Sequence, residues 1–367
     1  MRVLVVTTVH VPADARISRR EIGALVESGA EVTYAAPFRA TGTAPPVGVR
    51  AIDLPRSAGR RRLDALRAAH RVLRAEAPHH DVVLLHDPEL MLAAIGLRGP
   101  VVVWDVHEDT AAALSLKPWL PKALRGTVAA GVHGAERVAE SRFRLLLAED
   151  GYRTRFRRPH PVVPNSTPAP PSVLPPGADR VVYVGHLTAA RGAAELVATG
   201  RLLAGTGVTL HVVGHADGTT TDLLRTAADE NVLTWHGFVP NEAALPLIDG
   251  ALAGLSLLHD EPNYQHSRPT KILEYMAHGV PVVTTPTLAA RELVEAAGCG
   301  LVVPFGDTDT VARAAAAAVL QLRDDLDLRL RLAEAGRAAA LRDHDWNTDG
   351  PEFVATLQDW AKSAARR

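Results

Sequence analysis

"RPTKILEYMAHGVPVV", residues 268–283, has the pattern of a short helix feeding a parallel strand. Pro269 presets the first turn, Ile272, Leu273 and Met276 form an apolar stripe, and Gly279 with Pro281 stops the helix ahead of a strand over 280–285. The opening turn of such a helix leaves backbone N–H groups unpaired at the positive end of the helix dipole. Thr270, Lys271 and Ile272 therefore offer donors to a phosphate. Glu274, one turn further in, points where a ribose would sit. The competing reading is that Lys271 and Glu274, three apart, pair on a solvated helix face. The rest of the chain has to decide between the two.

Short β-branched runs alternate with helical patterns throughout. "RVLVVTT", "EVTYAAP", "DVVLLH" and "VVVWDVH" precede residue 160, and "RVVYVGHL", "VTLHVVG", "VLTWHGFV", "AGLSLL", "VPVVTT" and "GLVVPF" follow residue 178. Such alternation predicts parallel sheets with crossover helices. Residues 161–178 are dense in proline, cannot sustain a helix or a central strand, and read as a linker. The expected organisation is an N-terminal Rossmann-like domain over 1–160, a second over 179–342, and a C-terminal helical tail over 343–367. Ligands of doubly wound sheets bind at the carboxyl ends of the strands, so two facing domains would share one cleft. In the tail, Trp346, Phe353, Leu357 and Trp360 recur at spacings of three to seven and form an apolar face that requires a partner.

With 367 residues, 47% hydrophobic and 22% charged, the chain is long enough for two cores. A net charge of −1 gives no global attraction to nucleic acid or to an anionic membrane. The basic stretch over residues 59–78 leaves only peripheral membrane or acceptor contact as a minority reading. Cys299 is the single cysteine, which suits a reducing cytoplasm and excludes an internal disulfide. The opening "MRVLVVTTV" is too short an apolar run for a membrane span and reads as a buried first strand.

Four ordered motifs carry the chemistry: Gly185-His186-Leu187 running to Arg191-Gly192, then Gly237-Phe238-Val239, then Glu274 in "EYMAHGVPVV", then Gly300 to Asp307. Together they resemble the retaining family-4 glycosyltransferases of GT-B architecture, and the resemblance spans nearly the whole chain. It implies an α/β fold of two facing doubly wound Rossmann-like domains, with a final helix crossing back to the N-terminal domain. It also implies transfer of a sugar from a nucleotide-sugar donor to an acceptor hydroxyl with retention of configuration, without a metal or other cofactor. A UDP-sugar is the default co-substrate, and the acceptor is a small molecule, a glycan or a lipid.

By the same resemblance, His107, Arg191 and Glu274 take catalytic roles. Gly185, His186, Arg191, Gly214, Phe238, Val239, His266, Arg268, Thr270, Lys271, Ile272 and Glu274 bind the donor. Arg191 stands where the family has a lysine and supplies a planar fork suited to phosphate. Asp14, Arg16, His86, Asp87 and Glu108 fall at N-terminal strand ends and are candidate acceptor contacts, with Asp87 alternatively a helix cap. "DTD" at 307–309 reads as a helix cap and not as a metal motif.

The chain departs from the family in three places. His186 replaces its arginine, His266 replaces a second glutamate eight positions before Glu274, and the loop after the first strand lacks paired glycines. These departures keep two alternatives in view: a non-catalytic glycosyltransferase-like subunit, and a sugar-nucleotide epimerase of similar architecture. A nicotinamide oxidoreductase is disfavoured, because neither half has the G-x-G-x-x-G turn.

Overall fold

The computed structural model describes residues 1–107, 125–239, 241–265 and 268–366. Glu108 and His266, singled out above, lie outside them. The chain divides into two compact units, Met1–Asn165 with Trp346–Arg367, and Ser166–Asp345. The proline-rich stretch 161–178 is thus shared between the units, and the tail belongs to the first.

The first unit holds a six-stranded sheet of β1 (Arg2–Val6), β2 (Glu31–Ala36), β3 (Val49–Asp53), β4 (Val82–Leu85), β5 (Val101–Val106) and β6 (Arg144–Leu147). Their order is β3-β2-β1-β4-β5-β6, and every pairing is parallel. Val3 and Val5 enter one core, while Leu4 and Val6 enter another on the opposite face. This two-sided burial explains why β1 reads as an unbroken apolar run. The helix Trp346–Ala365 sends Trp346, Phe353, Val354 and Leu357 into the core that contains Val3, Val5, Ile17 and Leu25. Trp360 packs at the margin of that core, with the Arg144 guanidinium 5.7 Å from its ring centroid.

The second unit repeats the design with β7 (Arg180–Val184), β8 (Thr209–Val213), β9 (Thr234–Trp235), β10 (Ala253–Ser256), β11 (Val282–Thr284) and β12 (Gly300–Val302). Its order, β12-β11-β10-β7-β8-β9, has the same connectivity as the first sheet, again all parallel. Each sheet reverses its winding once, between β1 and β4 and between β7 and β10. Doubly wound sheets bind ligands at such points.

The helix Thr270–Ala277 sits at the second of these points, and Tyr275 fixes it there. The Tyr275 hydroxyl accepts from the Val184 N–H at 3.0 Å and donates to the Leu255 carbonyl at 3.1 Å, bridging β7 and β10 where they diverge. A Cβ at Gly254 would lie 2.3 Å from the Tyr275 ring, so glycine is required there. Tyr275→Phe strands two buried backbone groups and is expected to cost about 1–3 kcal/mol in urea denaturation. A change within a few tenths would show that the bridge is dispensable.

Among the described residues no helix is long and apolar enough to cross a membrane. The Asp307 carboxylate accepts from the Thr310 N–H at 2.8 Å and caps the helix Thr308–Asp324, as its sequence context predicts. Cys299 is buried, and burial pushes its thiol up to about 12.

Candidate functional site

In the second unit, the carboxyl ends of β7, β8 and β9 stay in register beyond the strands, through Gly185 N–H to Val213 O at 2.9 Å and Gly214 N–H to Gly237 O at 2.7 Å. Gly185 and Gly214 adopt φ of +128° and +139°, and a Cβ at Gly214 would fall 1.9 Å from the Gly185 carbonyl oxygen. Side chains are excluded there, which leaves backbone open to an approaching ligand. Gly192, at φ +83°, closes the turn Ala189–Arg191 against Leu257, whose carbonyl would lie 2.1 Å from an added Cβ. The tight turn thus sets Arg191 beside the β7 and β10 ends. Its Nη1 donates to the His186 carbonyl at 3.4 Å.

The helix Thr270–Ala277 is buried nearly all round, with Lys271 8% and Glu274 7% exposed. Pairing on a solvated face is therefore excluded. The Lys271 ammonium lies 4.6 Å from the Tyr183 ring centroid, and its Cε would be 3.5 Å from a Cβ on Gly185. Burial, and then the charge of Arg191, bring its pKa down to about 8, against an opposing pull from Glu274. Two cations beside a bare glycine backbone make a seat for an anion carrying more than one charge.

The helix opening differs from expectation in one respect. Ile272 N–H is taken by the Pro269 carbonyl at 3.0 Å, so its backbone is not a phosphate donor. Pro269 is the cap residue and offers no side-chain bond to the first turn.

His186 stacks on His215 with centroids 4.2 Å apart and 12° between planes, and its Nε2 is 2.8 Å from Asp217 Oδ2. Burial, and next the neighbouring His215, lower the His186 pKa although Asp217 opposes them. It is thus a mostly neutral group, unlike the family's arginine. His186, His215 and Asp217 are close enough to consider as ion ligands. Imidazole lone pairs lie in the ring plane, however, and two nearly parallel rings cannot aim them at one ion.

Phe238 is 73% exposed at the end of β9, edge-on to His215 at 6.4 Å. Val239 packs against the core beside that helix. Arg268 lies among Glu292, Arg342 and His344.

In the first unit, a π-helical segment Ala15–Ile22 follows β1, capped by Asp14, whose Oδ1 accepts from the N–H groups of Arg16 at 2.9 Å and Ile17 at 3.1 Å. The five-residue hydrogen-bond step of a π-turn brings Arg16 and Glu21 onto one side, with Arg16 Nε 3.2 Å from Glu21 Oε1. The Arg16 fork grips Asp105 through Nε at 2.8 Å and Nη2 at 2.6 Å, and its Nη1 donates to Val163 O and Asn165 Oδ1. Burial alone would raise Asp105, but Arg16 and the two histidines His107 and His86 hold it well below the usual carboxylate range. For Glu21 the Arg16 charge opposes burial without outweighing it. Burial and then the Asp105 charge raise it well above its ordinary value, so it is a neutral acid facing His86 Nε2 at 3.5 Å. His86 is kept neutral by burial and lies 3.3 Å from Asp105 through Nδ1.

Asp87 is buried and holds the loop after β1, accepting from Thr7 Oγ1 and Thr8 Oγ1, both at 3.0 Å, and from the N–H groups of Thr8 and Val9. Of the residues expected to meet an acceptor, Arg16, His86 and Asp87 are buried and Asp14 is half-buried. Asp14 caps the π-helical segment, and the other three are buried within the unit. His107 is the expected residue that reaches the surface of this cluster, with Nδ1 2.9 Å from Asp105 Oδ2 and Nε2 3.0 Å from His10 Nε2.

Residues 178–325, within the second unit, match the family described as "Glycosyl transferases group 1". No curated protein matches the chain. Among solved structures it is similar to sucrose-phosphate synthase from Thermosynechococcus elongatus, at 16% identity over 99% of each chain and a TM-score of 0.71. It is also similar to Anabaena HepE in complex with UDP and glucose, at 16% identity over 98% of this chain and 100% of that one, TM-score 0.68. WaaG, a glycosyltransferase involved in lipopolysaccharide biosynthesis, matches at 15% identity over 97% of this chain and 99% of that one, TM-score 0.65. The fold is GT-B.

Within this GT-B chain, several residues of both sites escaped sequence reading. Asp105 had a usable signal, since it stands two before His107 and so shares its side of β5. Tyr183 stands on β7 in the same relation to Gly185. Glu21, His10 and the His215–Asp217 pair had none, because a π-turn and loop conformation placed them.

Proposed function

We propose that this chain is a glycosyltransferase whose C-terminal unit holds a nucleotide-sugar donor and whose N-terminal unit serves the acceptor. The transfer retains anomeric configuration and uses no metal. The observation that carries the reading is the buried Lys271 beside Arg191 at the bare Gly185 backbone, inside the segment that matches the glycosyl transferases group 1 family. Glycosyl transfer from a sugar nucleotide expels a diphosphate, and fixed cations where that charge grows lower the barrier. Thr270 and Lys271 supply backbone donors to the distal phosphate, and Glu274 takes the ribose hydroxyls. Phe238 and Val239 border the base. UDP is the nucleotide we favour, because the similar HepE structure contains it. The acceptor attacks on the face from which the phosphate leaves, so the departing diphosphate takes the acceptor proton and no side-chain base is needed. A reducing cytoplasm, where a lone buried thiol stays reduced, is the proposed setting.

Turnover of UDP-, GDP-, dTDP- and ADP-sugars across an acceptor panel, with the product anomer read by proton NMR, tests the reading. Retention with one nucleotide preferred is expected. Donor binding with no turnover would favour a non-catalytic subunit, to which the neutral His186 lends some weight. Product formed without acceptor would favour an epimerase. Glu274→Ala is expected to weaken donor binding by about 2 kcal/mol, since ribose hydroxyls lose a charged acceptor. Arg191→Ala should depress kcat more than affinity, because its charge matters most as the diphosphate leaves. A donor titration and a rate measurement on each variant separate the two effects, and unchanged donor affinity in Glu274→Ala would remove the ribose assignment.

A further inference from the structure

The turn that carries Arg191 is held partly from outside itself. Its own bonds run from the Arg191 N–H to Thr188 O and from the Gly192 N–H to Ala189 O, both at 3.0 Å. The loop after β10 adds a third, from the His259 N–H to the Ala190 carbonyl at 3.0 Å, and Leu257 of the same loop packs against Gly192. What fixes this loop therefore fixes the turn. The His259 ring reaches from the loop to the helix Ala193–Leu203, which follows directly on the turn, and there its Nε2 lies 3.2 Å from Glu195 Oε1. Glu195 is 4% exposed, and its Oε1 accepts from the Thr308 hydroxyl at 2.8 Å. Its Oε2 is buried without a hydrogen-bond partner, and so is the His259 Nε2, whose direction to Glu195 falls short of a hydrogen bond. A buried carboxyl oxygen with no donor is costly. A small rotation of the imidazole, with its proton on Nε2, supplies one.

We propose that His259 and Glu195 are positioning residues for Arg191, a clasp in which the imidazole joins the loop after β10 to the helix Ala193–Leu203 and so closes a ring of contacts around the turn. The ring runs from turn to helix, from Glu195 to the His259 side chain, and from the His259 N–H back to Ala190. Thr308 ties it to the helix Thr308–Asp324. With the clasp open, the turn keeps its two internal bonds, and the Arg191 guanidinium has the His186 carbonyl, at 3.4 Å, to direct it. An aliphatic side chain at position 259 would leave the buried Glu195 without the imidazole, whereas the amide nitrogen of a glutamine falls near the place of Nε2. The clasp bears on binding through the reading of Arg191 as a phosphate contact.

The test pairs His259→Leu with His259→Gln in the full chain. Amide-resolved hydrogen exchange without nucleotide reads the turn itself: in His259→Leu the Arg191 and Gly192 amides should exchange about tenfold faster, and in His259→Gln they should stay within about threefold of wild type. Glu195→Leu opens the same contact from the other side and should match His259→Leu; if it does not fold, the two substitutions at position 259 still decide. UDP titration reads the consequence. His259→Leu should weaken UDP about fivefold in the wild-type background and have no further effect in Arg191→Ala, because a residue that acts through the guanidinium is silent once that group is gone. A merely structural role would lower the melting temperature and weaken UDP equally in both backgrounds. Unchanged exchange of the turn in His259→Leu overturns the proposal, as does exchange equally fast in His259→Gln. So does UDP affinity that His259→Leu leaves unchanged or lowers equally in both backgrounds. If the wild-type chain binds no UDP, the donor reading fails, and the exchange measurement alone decides the clasp.

Discussion

Phe353→Ala is expected to lower the unfolding free energy of this chain by about 3–5 kcal/mol. Phe353 is 1% exposed and touches a core built on β1 and β2 of the first unit, with Trp346 at a ring-centroid distance of 6.3 Å and Leu357 one turn on. Alanine would leave a void among Val3, Val5, Leu25 and Tyr34 that the close-packed sheet cannot fill. Trp360→Ala should lose less, since Trp360 is half-buried and partly covered by Arg144. Urea denaturation of the two variants gives the order directly. Equal and negligible losses would mean that the tail is not an integral part of the unit.

Lys271→Met should separate stability from binding. A lysine whose folded pKa is about 8 against an ordinary 10.5 opposes folding, because the unfolded chain binds the proton more tightly. Stability therefore rises with pH between about 8 and 10.5, and the full cost is present below 8. That cost is on the order of 3 kcal/mol, and the lost contact with the Tyr183 face offsets part of it. The methionine variant is thus expected to be about 1–2 kcal/mol more stable than wild type at pH 7 when ligand-free. It should bind UDP about 10- to 100-fold more weakly, having lost a charge-assisted contact. Denaturation curves with and without UDP would reverse the order of the two proteins. A destabilised variant with undiminished affinity would show that Lys271 is structural.

Strands buried on both faces, such as β1, β4 and β10, are readable as apolar runs, and β-branched runs mark all six strands of the second sheet. β3 and β6 were missed. β3 lies at the sheet edge with Arg50, Ala51 and Asp53 exposed, so its "VRAID" carries little apolar signal. β6 is four residues following directly on the helix Arg125–Arg142. In the second unit the helix Thr270–Ala277 placed Lys271 and Glu274 at the switch point as its sequence predicts. Its burial from Lys271 to Ala277 comes from tertiary packing, which no local pattern encodes. The N-terminal site was the least legible. The residue types in "TTVHVPADARISRRE" and "LLHDPEL" did mark a polar cluster, but which polar group faces out depends on the π-turn that folds Arg16 inward onto Asp105. Strand-end position and the resemblance make Arg16 and Asp87 candidate ligand contacts, and both are buried in the frame that carries His10 and His107.

The central claim, that the second unit seats a nucleotide diphosphate on Lys271 and Arg191, is tested most directly by calorimetric titration of UDP into the intact chain at pH 8 in two buffers of different ionisation enthalpy. A bound diphosphate favours the charged lysine, so binding should draw about half a proton per UDP from the buffer, and affinity should fall as pH rises above 8. Lys271→Met should abolish the proton uptake. Absence of binding, or binding with the same affinity and the same buffer dependence in Lys271→Met, would contradict the account.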